Sequence, residues 1–134
     1  MSSAVFETRF FIYFFASTEA RIQRQLLKLL DRYRPRLVSV ITLFEIYKLS
    51  LEREGREIAE TRVTRIRAEF TVVPVDDPIA VRGAQLKHAA KTRNNEDVPM
   101  ADSLIAATSI LNKAVCVTDS PHFDKIPQVR HTWL

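Results

Sequence analysis

Four carboxylates stand where they could act together. Glu7 follows the first short apolar run, and Glu45 lies in the first turns of a helical stretch after the second. Asp102 lies in the first turn of a helix leading to the fourth run, and Asp119 directly follows that run. Like charges a few ångströms apart raise one another's pKa, so four converging acids need a counter-charge. A hard divalent cation supplies it, and an all-oxygen donor set suits Mg2+ or Mn2+. Such an ion generates hydroxide near neutral pH and steadies a phosphoryl transition state. The chemistry expected of Glu7, Glu45, Asp102 and Asp119, as metal-binding and catalytic candidates, is metal-assisted cleavage of a phosphodiester bond.

Each acid also has a structural reading. Thr42-x-x-Glu45 matches a helix capping box, although Glu45 sits in the very apolar stretch Val40–Tyr47. Asp102, three residues after Pro99, would favour a helix dipole. Asp119-Ser120-Pro121 would make an ordinary turn. Asp76 and Asp77 follow the third apolar run, but Asp77 reads as the N-cap of a helix whose first residue is Pro78, and both stay outside the expected site.

The rest of the composition narrows the chemistry. Only two glycines occur, Gly55 and Gly83, which excludes a glycine-rich phosphate loop. The one cysteine, Cys116, excludes an intrachain disulfide and reads as a small buried hydrophobe. One Cys and three scattered His provide no zinc spacing. No apolar run approaches the ~18 residues of a membrane span. Glu7 and Arg9 interrupt the N-terminal apolar stretch, which argues against a signal peptide and for a cytoplasmic protein. The net charge of +4 is compatible with a polyanionic partner.

The elements that must position the acids alternate in type. Short β-branched runs occur at Ala4–Phe6, Arg36–Val40, Thr71–Val75 and Ala114–Thr118, with a weaker one at Gln128–Thr132. Runs so short and apolar suit parallel strands buried on both faces. Between them lie helical patterns. Ile22, Leu26, Leu29, Leu30 and Tyr33 share one face, with Ser17 as N-cap and Pro35 as terminator. A second helix runs from about Thr42 to Glu54 and breaks at Gly55, and a third continues to Phe70. A fourth starts at Asp77-Pro78, and Pro99 opens a fifth with Ala101, Leu104, Ile105, Thr108 and Leu111 inward. Thr92–Asp97 reads as an exposed loop. The expectation is one α/β domain over residues 1–134, a three-layer α/β/α sandwich on a mostly parallel sheet of four to five strands. Ligands in such sheets bind beyond the carboxyl ends of the strands, where the four acids fall.

The same residues match a family pattern. Val5-Phe6-Glu7-Thr8-Arg9 resembles the opening strand and acid of PIN domains, and Ser39–Tyr47 resembles their second acidic motif. Val98-Pro99-Met100-Ala101-Asp102-Ser103-Leu104-Ile105-Ala106-Ala107-Thr108 is similar to their third and is the most specific. Val117-Thr118-Asp119-Ser120-Pro121-His122-Phe123 is similar to their fourth. The order holds along nearly the whole chain, and a short chain of this kind most resembles VapC-type toxins. The resemblance implies an Mg2+- or Mn2+-dependent endoribonuclease, a homodimer and a small antitoxin partner. Two positions depart from the pattern: Glu7 replaces the usual Asp, and Ser120 occupies the usual place of the fourth acid, with Asp119 one residue earlier. Thr8, Thr118 and Ser120 would then orient carboxylates or water. The alternative is a PIN fold without activity that binds RNA or protein. A receiver-type phosphoacceptor fits less well, because no acidic pair follows the first run.

Basic residues near the acids form an expected RNA-binding rim: Arg9, Lys48, Arg53 and Arg93, with Lys87 and Lys91 close in sequence. The stretch Ile12–Phe15, together with Tyr47, Leu49, Leu51 and Ile58, carries more apolar surface than one core needs. That surplus is the basis for expecting a homodimer, or an antitoxin helix seated in a groove.

Overall fold

The computed structural model describes residues 2–134. Its strands are β1 (Ala4–Phe6), β2 (Arg36–Ser39), β3 (Thr71–Val73), β4 (Val115–Val117) and β5 (His131–Thr132). They form one sheet in the order β3-β2-β1-β4-β5, and every pairing is parallel. The first strand of the chain therefore lies in the middle of the sheet.

The two-residue period of the strands divides their side chains between two cores. Ala4, Phe6, Val38 and Val117 enter one, while Val5, Leu37 and Cys116 enter the other. The first core is closed by α1 (Thr8–Ala16), α2 (Ala20–Arg32), α3 (Val40–Glu54) and α4 (Arg56–Glu69), through Phe10, Phe11, Leu26, Leu29, Ile46 and Ile66. The second is closed by α5 (Asp77–Asn94), α6 (Met100–Leu111) and a short 3₁₀ turn (Pro121–Lys125), through Leu86, Ile105 and Phe123. The expected three-layer α/β/α arrangement is thus present. Cys116 is fully buried, and burial holds its thiol well above its ordinary pKa. Among the described residues no helix is long and apolar enough to cross a membrane.

Several local expectations shift by a few residues. Ser17 closes α1 by donating its backbone N–H to the Tyr13 carbonyl; it does not cap α2, which starts at Ala20. Helix α3 starts directly from β2, so its N-cap is Ser39, whose hydroxyl accepts from the Ile41 N–H. Thr42 consequently lies inside the helix, and the capping-box reading of Thr42 and Glu45 gives way to tertiary bonds. The N-cap of α5 is Asp76, not Asp77: its carboxylate accepts from the Ile79 N–H, with Pro78 already in the first turn. Thr92 and Arg93 continue α5 and do not lie in a loop. Leu111, expected inward, is exposed at the end of α6.

The two glycines serve backbone geometry. Gly55 turns α3 into α4 with φ of 92°, a left-handed value that side-chain-bearing residues rarely adopt. Gly83 lets α5 approach α6, since a Cβ there would lie 2.8 Å from Leu104 Cδ2. The aromatic stretch of α1 is also better covered than expected. Ile12, Tyr13, Phe14 and Phe15 are half-buried against the first core. The guanidinium of Arg65 stands 4.6 Å from the Phe14 ring centroid, and that of Arg62 stands 5.4 Å from the Phe15 centroid. Two cation–π contacts from α4 therefore roof this face. Of the large apolar side chains that remain exposed, Val40, Phe44, Leu51 and Ile58 gather on α3 and α4, while Leu27, Val81, Met100, Leu111 and Leu134 lie on other elements.

Candidate active site

Glu7 follows β1 with no intervening residue. Its backbone N–H continues the sheet by donating to the Val117 carbonyl, and Glu7 is also the N-cap of α1. A strand that passes straight into a helix leaves the side chain little freedom, and Glu7 is only 3% exposed. Thr118 Oγ1 donates to Glu7 Oε1 at 2.5 Å, while Glu7 makes no capping bond to the first turn of α1. Burial raises the Glu7 pKa to about 7. The Thr118 bond and the nearby Arg9 N–H pull it down, and the charges of Asp102 and Glu45 push it further up.

Glu45 comes from α3, where Thr8 Oγ1 donates to its Oε1 at 2.5 Å. Thr8 has one hydroxyl proton and spends it on Glu45, so the 3.1 Å contact between Thr8 and Thr42 has Thr42 as donor. Burial raises the Glu45 pKa, the Thr8 bond lowers it, and the charge of Asp102 raises it. Asp102, buried in the first turn of α6, lies 2.6 Å from Nδ1 of His122. Its pKa is raised by burial and pulled down by the His122 hydrogen bond and charge. Glu7, Glu45 and Asp102 therefore sense one another's charge, although they come from three distant segments.

Asp119 is engaged differently. Arg9 Nε donates to its Oδ1 at 2.5 Å, and the Tyr13 hydroxyl donates to its Oδ2 at 2.7 Å. Arg9 Nη2 also donates to the Tyr13 oxygen at 3.2 Å, which closes a three-membered ring of bonds. Burial would raise the Asp119 pKa, but the bonds from Arg9 and Tyr13 outweigh it, and the group is held below its ordinary value. Asp119 was expected to be a fourth metal ligand; in this structure its two oxygens accept from Arg9 and Tyr13. Ser120 donates its backbone N–H to Thr118 Oγ1 and accepts from the His122 N–H, so it shapes the turn that carries Thr118 and His122.

His122 and Tyr13 were not found from the sequence. Tyr13 lies four residues after Arg9 on α1, a helical spacing that places the two side by side. No local pattern points from His122 to Asp102, because their contact is made by the fold. Of the expected rim, Lys48 is tied to Glu52 at 2.5 Å, while Arg53 and Arg93 are exposed. Lys87 is bound to Asp97 and to the Val98 carbonyl.

The three coupled acids suit a hard divalent cation by type: all donors are oxygen, and their mutual repulsion is what a cation would relieve. Among the described residues, no three Asp, Glu, His or Cys side chains are gathered tightly enough to hold an ion as they stand. Each acid is bonded to a hydroxyl or imidazole instead.

Comparison with known proteins follows the same order of motifs. The PIN domain profile matches residues 4–129. No curated protein matches at a significant level. Among solved structures, Salmonella typhimurium VapBC bound to DNA shares 22% identity at a TM-score of 0.81, covering 99% of this chain and 98% of that one. VapBC2 from Rickettsia felis, bound to a promoter DNA fragment, shares 16% identity at a TM-score of 0.81, covering 98% of both chains. Mycobacterium tuberculosis VapC20, a sarcin-ricin loop cleaving toxin, shares 16% identity at a TM-score of 0.70, covering 91% of this chain and 94% of that one. The structural likeness establishes the fold. The profile match, running from β1 past the 3₁₀ turn after β4, establishes that this chain belongs to the PIN domain family.

Proposed function

We propose that the protein is a metal-dependent endoribonuclease, the toxin of a VapBC-type pair, and that Glu7, Glu45 and Asp102 hold its Mg2+ or Mn2+. The observation that carries this reading is that two buried carboxylates, Glu7 and Asp102, and the half-buried Glu45 come within reach of one another's charge in a PIN fold. When bound, the cation would supply a hydroxide nucleophile and offset charge on the phosphoryl group. The chain's own groups do the positioning. Thr118 fixes Glu7, Thr8 fixes Glu45, and His122 fixes Asp102. The raised pKa of Glu7 means that the site carries less than its full negative charge near neutral pH until a cation arrives.

The partner expected from the VapBC structures is a small antitoxin. A groove of about 490 Å³ between α3 and α4, lined by Val40, Leu43, Phe44, Tyr47, Leu51 and Val63, offers it an apolar seat flanked by Lys48 and Arg67. The same surface is the proposed homodimer contact, and the proposed setting is the cytoplasm. The test is cleavage of a mixed RNA pool with Mn2+ or Mg2+, with and without Asp102→Asn. Metal-dependent cleavage that disappears in the variant is the expected result. RNA binding without cleavage would favour the inactive binding module, for which Glu7 in place of Asp is the motive.

A further inference from the structure

We propose that Asp119 and Tyr13 are positioning residues that hold the Arg9 guanidinium beside the acid cluster, where its free edge binds a phosphate of single-stranded RNA. The inference deepens the nuclease reading, from which it takes RNA as the polyanion. Arg9 belongs to the site through its neighbours: it lies two residues after Glu7, and its partner Asp119 directly follows Thr118, which bonds the Glu7 carboxylate. Its side chain is bound at Nε by Asp119 and at Nη2 by Tyr13, while Nη1 has no partner among the described residues. With 44% of the side chain exposed, that edge is open to a ligand. A guanidinium offers five N–H donors in a rigid fork, so one side can be clamped while the other meets phosphate oxygens.

The charge arrangement gives this edge a task. Three carboxylates beside an RNA backbone repel it, and a cation fixed at their margin offsets that repulsion before any metal binds. The ring gives Asp119 a use other than ligating an ion: each of its oxygens accepts from Arg9 or Tyr13.

The experiment measures binding of a fluorescein-labelled single-stranded RNA by anisotropy in EDTA over a range of KCl concentrations. Each variant is compared at a temperature where circular dichroism shows it folded. Arg9→Gln should weaken binding and flatten the dependence of log K on log salt by about 0.7, the value for one lost phosphate contact. Tyr13→Phe should keep the slope and weaken binding roughly 2- to 10-fold, from the freedom returned to the guanidinium. Asp119→Asn decides between two accounts. Removing a negative charge near the RNA should tighten binding if Asp119 acts only through its charge, whereas loss of the clamp should weaken it. Mn2+ affinity by calorimetry should be unchanged in Asp119→Asn. An unaltered salt slope in Arg9→Gln, tighter RNA binding in Asp119→Asn, or a tenfold loss of Mn2+ affinity there would each overturn the proposal. Because binding is read without metal, Arg9-dependent binding by a protein that cuts nothing would sink the nuclease reading and leave this one standing.

Discussion

Replacing Glu7 with Gln should stabilise the metal-free protein while disabling it. The folded state holds this carboxyl at a pKa of about 7, against an ordinary value of 4.5. Between those two pH values the unfolded chain has released a proton that the folded chain keeps. Stability therefore falls as pH rises through that window and levels off above it. A shift of this size corresponds to about 3 kcal/mol. Gln removes the charge but accepts the Thr118 hydrogen bond only as a neutral amide, a weaker bond than the carboxylate makes, which returns about 1 kcal/mol. The net expectation at pH 8 in EDTA is a gain of about 2 kcal/mol, or roughly 5–8 °C in melting temperature for a chain of this size. Near pH 4 the gain should vanish or reverse. Thermal melts of both proteins from pH 4 to 8.5 should therefore diverge between about pH 4.5 and 7 and keep a constant gap above that. Added Mn2+ at ~100 times its Kd should restore about 2.7 kcal/mol to the wild type and much less to the variant. Parallel melting curves across the pH range would refute the idea that Glu7 carries an unrelieved buried charge.

His122→Ala removes the imidazole from Asp102 and should weaken Mn2+ binding about 10–100-fold by calorimetry at pH 7; unchanged affinity would show that Asp102 needs no such support. Phe44, 66% exposed on the apolar groove, should tolerate Phe44→Asp with little change in melting temperature. Light scattering at micromolar concentration should then show a dimeric wild type and a monomeric variant. A monomeric wild type would leave the groove to the antitoxin alone.

The alternation of strands and helices was legible because short apolar runs and helical periodicity are local properties. So was the placement of Glu7, Glu45 and Asp102 past strand ends or at helix starts. Cap identities were less legible. Asp76 and Asp77 are adjacent and chemically equivalent, and only the point where the backbone turns helical decides between them. Thr42 and Ser39 compete in the same way, and the abrupt end of β2 settles the matter for Ser39. Side-chain partners across the chain were not legible at all. Arg9 and Asp119 are 110 positions apart, and nothing in either neighbourhood announces that they meet. The covering of α1 by Arg62 and Arg65 was hidden for a related reason: arginine scores as polar, yet its planar head caps an aromatic ring.

The central position of β1 has a consequence for synthesis. Strand β1 is made before the other strands and is flanked in the finished sheet by β2 and by β4, and β4 is made only after β2, β3 and all six α-helices described above. Glu7 meets Thr118 across a separation of 111 residues, and Asp102 meets His122 only after β4 has been made. An unfinished chain ending before β4 therefore leaves one edge of β1 unpaired and two of the three carboxylates without their holders. Contacts this distant also form late in folding. The carboxylate cluster matures only once β4 and the turn after it have been made, so a product that stops short of them carries its acids without the arrangement that would let them act together.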